Sequence, residues 1–353
     1  MVNGAQRQRY DVAVVGAGQA GLAIGHFLAR DGKRFVIFEA AGSIGAAWRT
    51  RWDSLVLFTA RRYDALPAAD FPGDPDGYPT RDEVIAYLDD YATRFGLPIE
   101  LNSAVQSIYM RGRSFVLRLG GQEVEADQVV VATGPFQVPR FPDFAAQLAP
   151  HVFQTHSSSY TRPSDVPNGT VLVVGGGNTG FQIAGELSRT HRVCLSVGSR
   201  QLPLPQKPFR RDLFWWLTNT GLMRKSVESR LGQRLRYRDT LIGSTPRSLK
   251  RQGVELRPRA TGATRRTVSF VDGTTLDVDA VIWASGYRLD HSWIDVPTFD
   301  ETGVVRHRRG VTETPGLYFL GLPWQHTRGS ALLGWVKDDA EYLAERIETF
   351  QLS

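Results

Sequence analysis

Two glycine-rich turns carry most of the chemistry legible in this sequence. Gly16-Ala-Gly-Gln-Ala-Gly21 follows the apolar run Tyr10-Asp-Val-Ala-Val-Val15, and Gly175-Gly-Gly-Asn-Thr-Gly180 follows Thr170-Val-Leu-Val-Val174. Both fit G-x-G-x-x-G. The first glycine (Gly16, Gly175) permits a tight turn, and the second (Gly18, Gly177) lets the backbone approach a pyrophosphate. The third (Gly21, Gly180) lets helix and strand pack closely. A helix follows each turn, and its free N–H groups and positive end suit a diphosphate, with Gln19 and Ala20, and likewise Asn178 and Thr179, within the contacting turn. The chemistry expected is the binding of two dinucleotides.

The residues that end the following strands separate the two sites. Glu39, 18 residues past Gly21, closes the strand Arg34–Phe38 and is placed to accept hydrogen bonds from an adenosine ribose. An acid there fits FAD or NAD and repels a 2′-phosphate. The second site ends in Val197-Gly-Ser199-Arg200 with no carboxylate. Ser199 and the Arg200 guanidinium would meet a 2′-phosphate as a charge-assisted pair, so this site is read as preferring NADPH. If Arg200 merely begins a basic segment, NADH is tolerated too. FAD at Glu39 and NADPH at Arg200 describe a flavoprotein reduced by a nicotinamide nucleotide.

The elements that position these turns repeat. Each turn leads into an amphipathic helix (Leu22–Arg30, Phe181–Ser188) and a second strand. Each also has a later partner, Glu125–Gly134 in one half and Val278–Gly286 in the other. A β-rich stretch precedes each partner, Val105–Leu119 and Val254–Val271. This is an internal duplication with the second copy inserted in the first. After Gly286 the chain returns through a strand at Gly316–Gly321 and a C-terminal helix at Ala331–Thr349. The expected fold is α/β with two Rossmann-like dinucleotide-binding domains, the NAD(P)H domain inserted into the FAD domain. The FAD domain is placed at 1–163 and 288–353, and the NAD(P)H domain at 164–287 with a basic aromatic insert at 202–250.

Composition narrows the function classes. The chain has 353 residues, 42% hydrophobic and 22% charged, which suits two globular domains and excludes long disorder. No apolar run approaches the ~20 residues of a membrane span, and Met1–Arg9 lacks the apolar core of a secretory signal. A cytoplasmic protein without a transmembrane segment is expected. The single cysteine, Cys194, excludes an internal disulfide and a Cys-x-x-Cys pair; in Val193-Cys-Leu195 it reads as a buried structural thiol. The seven histidines are scattered, so no metal site is expected.

Charge is uneven. Residues 200–260 hold 15 Lys and Arg against four Asp and Glu, out of 42 and 36 in the chain. The excess points to an anionic ligand or surface, although no nucleic-acid motif accompanies it. The insert contains Phe209-Arg-Arg211, Phe214-Trp-Trp-Leu217 and Arg234-Leu-Arg-Tyr-Arg238. It is read as a helix packing its aromatic side on the NADPH module with a solvated basic face. A lid over the substrate and a patch on an acidic membrane are the alternatives, and the same aromatics are a candidate homodimer surface.

Taken together the motifs resemble the flavin-containing monooxygenases, class B flavoproteins with two dinucleotide-binding domains, and among them the small bacterial branch. The resemblance rests on the first turn with Glu39, Gly42-Ser-Ile-Gly-Ala-Ala-Trp48, Ala132-Thr-Gly134, the second turn with Asn178, Trp283-Ala-Ser-Gly-Tyr287 and Phe319-Leu-Gly-Leu-Pro-Trp-Gln325. It implies FAD contacts from Glu39, Ala40, Trp48, Val105, Ala132, Thr133, Gly134 and Gln325, and NADPH contacts from Ser285 and Gly286. It also implies an activity: NADPH reduces the flavin, O₂ adds to give a C4a-hydroperoxyflavin, and a sulfide or amine substrate takes the distal oxygen. The cofactor carries the hard chemistry, so no catalytic triad is required.

Two departures matter. In the fingerprint F-x-G-x-x-x-H-x-x-x-Y/F, His156 and Tyr160 fit, but Pro150 and Val152 replace Phe and Gly. Tyr160-Thr161 also argues against the related Baeyer–Villiger ketone oxidation. Phe58, beside Thr59, stands where larger members place a flavin-touching Asn; these two residues are assigned to the flavin face. A Phe cannot hydrogen-bond, which keeps open a reductase that passes electrons to a ferredoxin or quinone.

Overall fold

Two parallel-stranded sheets organise the chain. The computed structural model describes residues 8–199, 202–236 and 240–350. In the first sheet Arg9–Val15 pairs in parallel with Phe35–Phe38 on one side and with Gln122–Val131 on the other. The long strand Gln122–Val131 forks. Its first half pairs antiparallel with Ser114–Leu119, and its last residues pair in parallel with Leu317–Phe319. Alternation along Val12-Ala-Val-Val15 sends Val12 and Val14 to one face and Ala13 and Val15 to the other. The first face is covered by helices Gln19–Arg30 and Val336–Glu348, through Leu22, Ile24, Leu343 and Ile347.

The second sheet runs in the order Glu255–Arg257, Arg192–Ser196, Thr170–Val174, Ala280–Trp283, Phe153–His156, all parallel. Helix Asn178–Leu187 packs Phe181, Ile183 and Leu187 on one face. A three-stranded antiparallel sheet between Ala260 and Asp277 covers the other through Val268 and Phe270. Phe153–His156 pairs with Ala280–Trp283 in the five-stranded sheet, so that sheet draws on residues ahead of 163. Ile294–Asp295 pairs with Ile108–Tyr109 in the first sheet.

Three local differences from the expectations have physical causes. Both motif helices begin inside the glycine motif, at Gln19 and Asn178. The C-terminal helix starts at Val336 rather than Ala331, because the preceding turns lie tightly on the 60s loop; a Cβ on Gly334 would overlap the Tyr63 carbonyl oxygen. Helix Leu213–Asn219 of the insert turns its aromatic side away from the second sheet. Phe214 packs with Phe58, Tyr63, Leu332 and Trp335, so the insert clamps loops that approach the first sheet. Among the described residues no helix is long and apolar enough to cross a membrane.

Candidate functional site

The two turns have the same backbone logic. Gly16 has φ +107°, and a Cβ there would sit 2.7 Å from the Ala132 carbonyl oxygen; Gly175 has φ +141° and packs likewise on the Ala284 carbonyl. Cβ atoms on Gly21 and Gly180 would overlap the carbonyl oxygens of Gly16 and Gly175. In contrast, Cβ atoms on Gly18 and Gly177 would meet nothing within 4 Å. These middle glycines cap the helices without a side-chain hydrogen bond, leaving first-turn N–H groups for a ligand. Both cradles fit a dinucleotide diphosphate.

The first turn opens on a cavity of about 430 Å³ walled by Gly16, Gly18, Gln19, Ala20, Glu39, Ala40, Val105, Ala132, Thr133 and Gly134. Ten of the residues expected around FAD thus come together. The Glu39 carboxylate is fixed at the rim, accepting the Ala17 N–H at 2.8 Å and the Ala41 N–H at 3.0 Å. Gln137, Asp290 and Trp293 also line the cavity and had not been singled out. The Gln137 amide donates to Thr133 Oγ1 at 3.0 Å and accepts the Asp290 N–H at 2.7 Å, bracing the Thr133-Gly134 loop. Gln325 stands on neither this wall nor that of the next cavity. It is 2% exposed and accepts the Leu322 N–H at 3.2 Å.

A second cavity of about 200 Å³ lies between the modules and shares Gln19, Ala47 and Phe136 with the first. Trp48, Arg51, Trp52, Leu55, Phe58 and Thr59 line one side, Asn178, Thr179 and Gln182 another, and Ala331–Leu333 a third. The Trp48 indole N–H donates to Gln19 Oε1 at 3.0 Å, joining the two cavities' walls. Asn178 accepts the Ile242 N–H at 2.8 Å and donates to the Thr240 carbonyl at 3.1 Å, so the insert holds this turn. Phe58 stacks on Phe214, with ring centroids 5.9 Å apart.

Polar groups behind the second cavity are specific. The Thr59 hydroxyl donates to Asp64 Oδ1 at 2.6 Å. Asp64 is 1% exposed, and burial pushes its carboxyl up to about 8 against the opposing pull of Thr59. Arg51 donates to the Tyr287 hydroxyl at 2.9 Å and lies 4.2 Å from the Phe136 ring centroid, with no carboxylate partner among the described residues. His156 Nε2 is 3.1 Å from the Gly286 carbonyl oxygen and Nδ1 is 3.0 Å from Ser158 Oγ; burial lowers its pKa. Tyr160 donates to Glu186 at 2.8 Å. Both fingerprint residues therefore tie the linker to the second module.

At the far end of the second turn Ser199 is exposed, and Arg200 lies outside the described residues. Arg259 comes alongside, its Nη2 donating to the Gly198 carbonyl at 2.9 Å. Its only sequence signal was membership of the basic segment. Ser285 donates to the Arg140 carbonyl at 2.5 Å, which holds the loop containing Gly286. Cys194 is fully buried, its thiol pushed up to about 11 by burial and by Glu255.

A glycine cradle beside an acidic strand end, continuous with a second cradle and with no dithiol between them, defines a class: the flavin-dependent oxidoreductases that draw on a nicotinamide nucleotide. The chain belongs to the pyridine nucleotide-disulphide oxidoreductase family, whose profile matches residues 13–209. It is 45% identical over 340 residues to an uncharacterized CzcO-like oxidoreductase of Geobacillus kaustophilus, covering 96% of this chain and 98% of that one. It is 30% identical to YUCCA9 of Arabidopsis thaliana, a probable indole-3-pyruvate monooxygenase, over 81% of this chain and 77% of that one. Among solved structures, the flavin-containing monooxygenase of Stenotrophomonas maltophilia matches with a TM-score of 0.81 and 27% identity, over 96% and 98% of the two chains. The chain is a flavin-dependent oxidoreductase of the flavin monooxygenase group.

Proposed function

We propose that this protein is an NADPH-dependent FAD monooxygenase that oxygenates a soft nucleophile, a sulfide or an amine. The observation that carries the reading is the continuity of the two cavities through Gln19, Ala47 and Phe136, which brings the first cradle within reach of the second. In this reading Gly16–Gly21 and Glu39 hold the FAD diphosphate and ribose, while Gly175–Gly180 hold that of NADPH. Ser199 and Arg200, joined by Arg259, take the 2′-phosphate. Bound FAD supplies hydride acceptance and oxygen transfer.

The chain's own residues orient and exclude. Trp48 and Gln19 fix the junction, and Asn178 and Thr179 present the nicotinamide nucleotide. Trp52, Leu55, Phe58 and Leu332 keep water from the junction. Thr59 faces it with its hydroxyl held by Asp64. The two-domain division proposed from the sequence fits this arrangement, with Phe153–His156 moved to the nicotinamide side.

Purified protein should be yellow, retain FAD rather than FMN, and oxidise NADPH faster than NADH while converting methyl phenyl sulfide to its sulfoxide. A colourless protein that reconstitutes with neither flavin would refute the reading. Phe58 supports a second reading, an acceptor reductase, because it offers no hydrogen bond to the flavin face; dye reduction without sulfoxide would select it.

A further inference from the structure

The insert carries charge that the rest of the molecule does not neutralise. Elsewhere arginines such as Arg61, Arg81, Arg111 and Arg309 are matched with carboxylates. Between residues 202 and 236 stand eight Lys and Arg but two acids. Both acids are engaged: Asp212 accepts from the Tyr78 hydroxyl at 2.8 Å, and Glu228 pairs with Arg308 at 3.1 Å. Among the described residues none of those eight cations forms an ion pair.

At the tip of the insert Phe209 is 89% exposed, the most exposed large apolar side chain among those described. Phe209 and Arg210 have φ +51° and +64°, left-handed values that cost energy in residues other than glycine. Local conformation therefore gives no reason to hold a phenyl ring in water. Trp216 supports it edge-on, with ring centroids 6.0 Å apart, and the Arg211 guanidinium lies 4.6 Å from the Trp215 ring centroid. An apolar wedge flanked by exposed Lys207, Arg210 and Arg211 matches the headgroup boundary of a bilayer, apolar below and anionic above.

We propose that this tip docks the protein on anionic membrane surfaces, Phe209 entering the headgroup–acyl boundary and the three cations facing lipid phosphates. A nucleic acid would satisfy the cations but leave Phe209 in water, and an acidic protein would need a pocket for a protruding ring. The docking has a geometric consequence. Phe214, in the helix that follows the tip, stacks on Phe58 of the second cavity, so one short helix joins the docked tip to that cavity's wall.

The test is flotation of the FAD-loaded protein with phosphatidylcholine vesicles, with and without phosphatidylglycerol. Binding should require the anionic lipid and fall with salt. At about 1 kcal/mol or fivefold per cation, Lys207→Ala/Arg210→Ala/Arg211→Ala should weaken it about a hundredfold. Phe209→Ser should weaken it about tenfold while leaving the salt dependence in place. Flavin content and NADPH oxidation of both variants should match the parent, which separates lost docking from lost folding. Equal binding to neutral vesicles, parent-like binding by both variants, or binding to heparin without binding to anionic vesicles would each overturn the proposal.

Discussion

The two glycine turns present the same backbone to a diphosphate and differ in what surrounds it. At the first, Glu39 is held by the N–H groups of Ala17 and Ala41, at the rim of a cavity of about 430 Å³. At the second, the corresponding strand runs into Gly198 and exposed Ser199, with Arg259 on the Gly198 carbonyl. In the proposed function one scaffold, used twice, positions two diphosphates, and the strand ends and walls decide which nucleotide stays and which exchanges. The insert sharpens the contrast, since Thr240 and Ile242 brace Asn178 of the second turn.

Disabling each turn separately should give the largest effects. Gly16→Val forces a side chain toward the Ala132 carbonyl and should yield protein purified without flavin. Gly175→Val should remain yellow but lose NADPH-driven flavin reduction by about a thousandfold, some 4 kcal/mol of barrier. Anaerobic absorbance after NADPH addition separates the two; loss of flavin from both would show that the cradles are not independent.

Next in size is Glu39→Gln. With a hydrogen bond to a charged group contributing about 1.5–3 kcal/mol, FAD affinity should fall roughly ten- to hundredfold by fluorescence titration. KM for NADPH should hold steady. A parallel change in NADPH affinity would place Glu39 outside the FAD site.

Smaller and more selective effects are expected at the second strand end. Arg200→Ala and Arg259→Ala should each raise KM for NADPH about tenfold with little change for NADH, the signature of a lost 2′-phosphate contact. Equal effects on both nucleotides would remove these residues from cofactor discrimination.

The smallest effect concerns Asp64. Its carboxyl is raised from the ordinary 3.8 to about 8 by burial, so the folded state binds this proton more tightly than the unfolded chain does. Its contribution to stability is therefore greatest below about pH 4, declines as pH rises toward 8, and is lost above that. Asp64→Asn should flatten the slope of unfolding free energy between those limits in urea titrations. An unchanged slope would mean that Asp64 ionises normally.

Much of the fold was legible in the sequence because parallel strands buried on both faces read as apolar runs, and Val12–Val15 and Val171–Val174 end in glycine turns that few other structures need. Ten of the residues assigned to FAD, from the first turn and from the family resemblance, line one cavity. Helix Arg81–Arg94 was missed despite its signal, a capping box between Thr80 and Glu83. Arg51, Phe136, Gln137 and Asp290 reach the cavities from loops, whose course no local periodicity encodes. Gln325 was expected at FAD but turns inward, where a Cβ on Gly310 would crowd its amide. Phe214 was expected on the NADPH module, and its actual contacts, Phe58 and Trp335, lie more than a hundred residues away along the chain, beyond the reach of local pattern.

In the proposed function, electrons from NADPH reach oxygen in a form delivered to a substrate. The direct measurement is a coupling balance: NADPH consumed, sulfoxide formed from methyl phenyl sulfide and hydrogen peroxide released, determined in one reaction mixture. Sulfoxide should form in near-equal proportion to NADPH consumed, with little peroxide. Stoichiometric peroxide and no sulfoxide, whether or not added dyes are reduced, would contradict it.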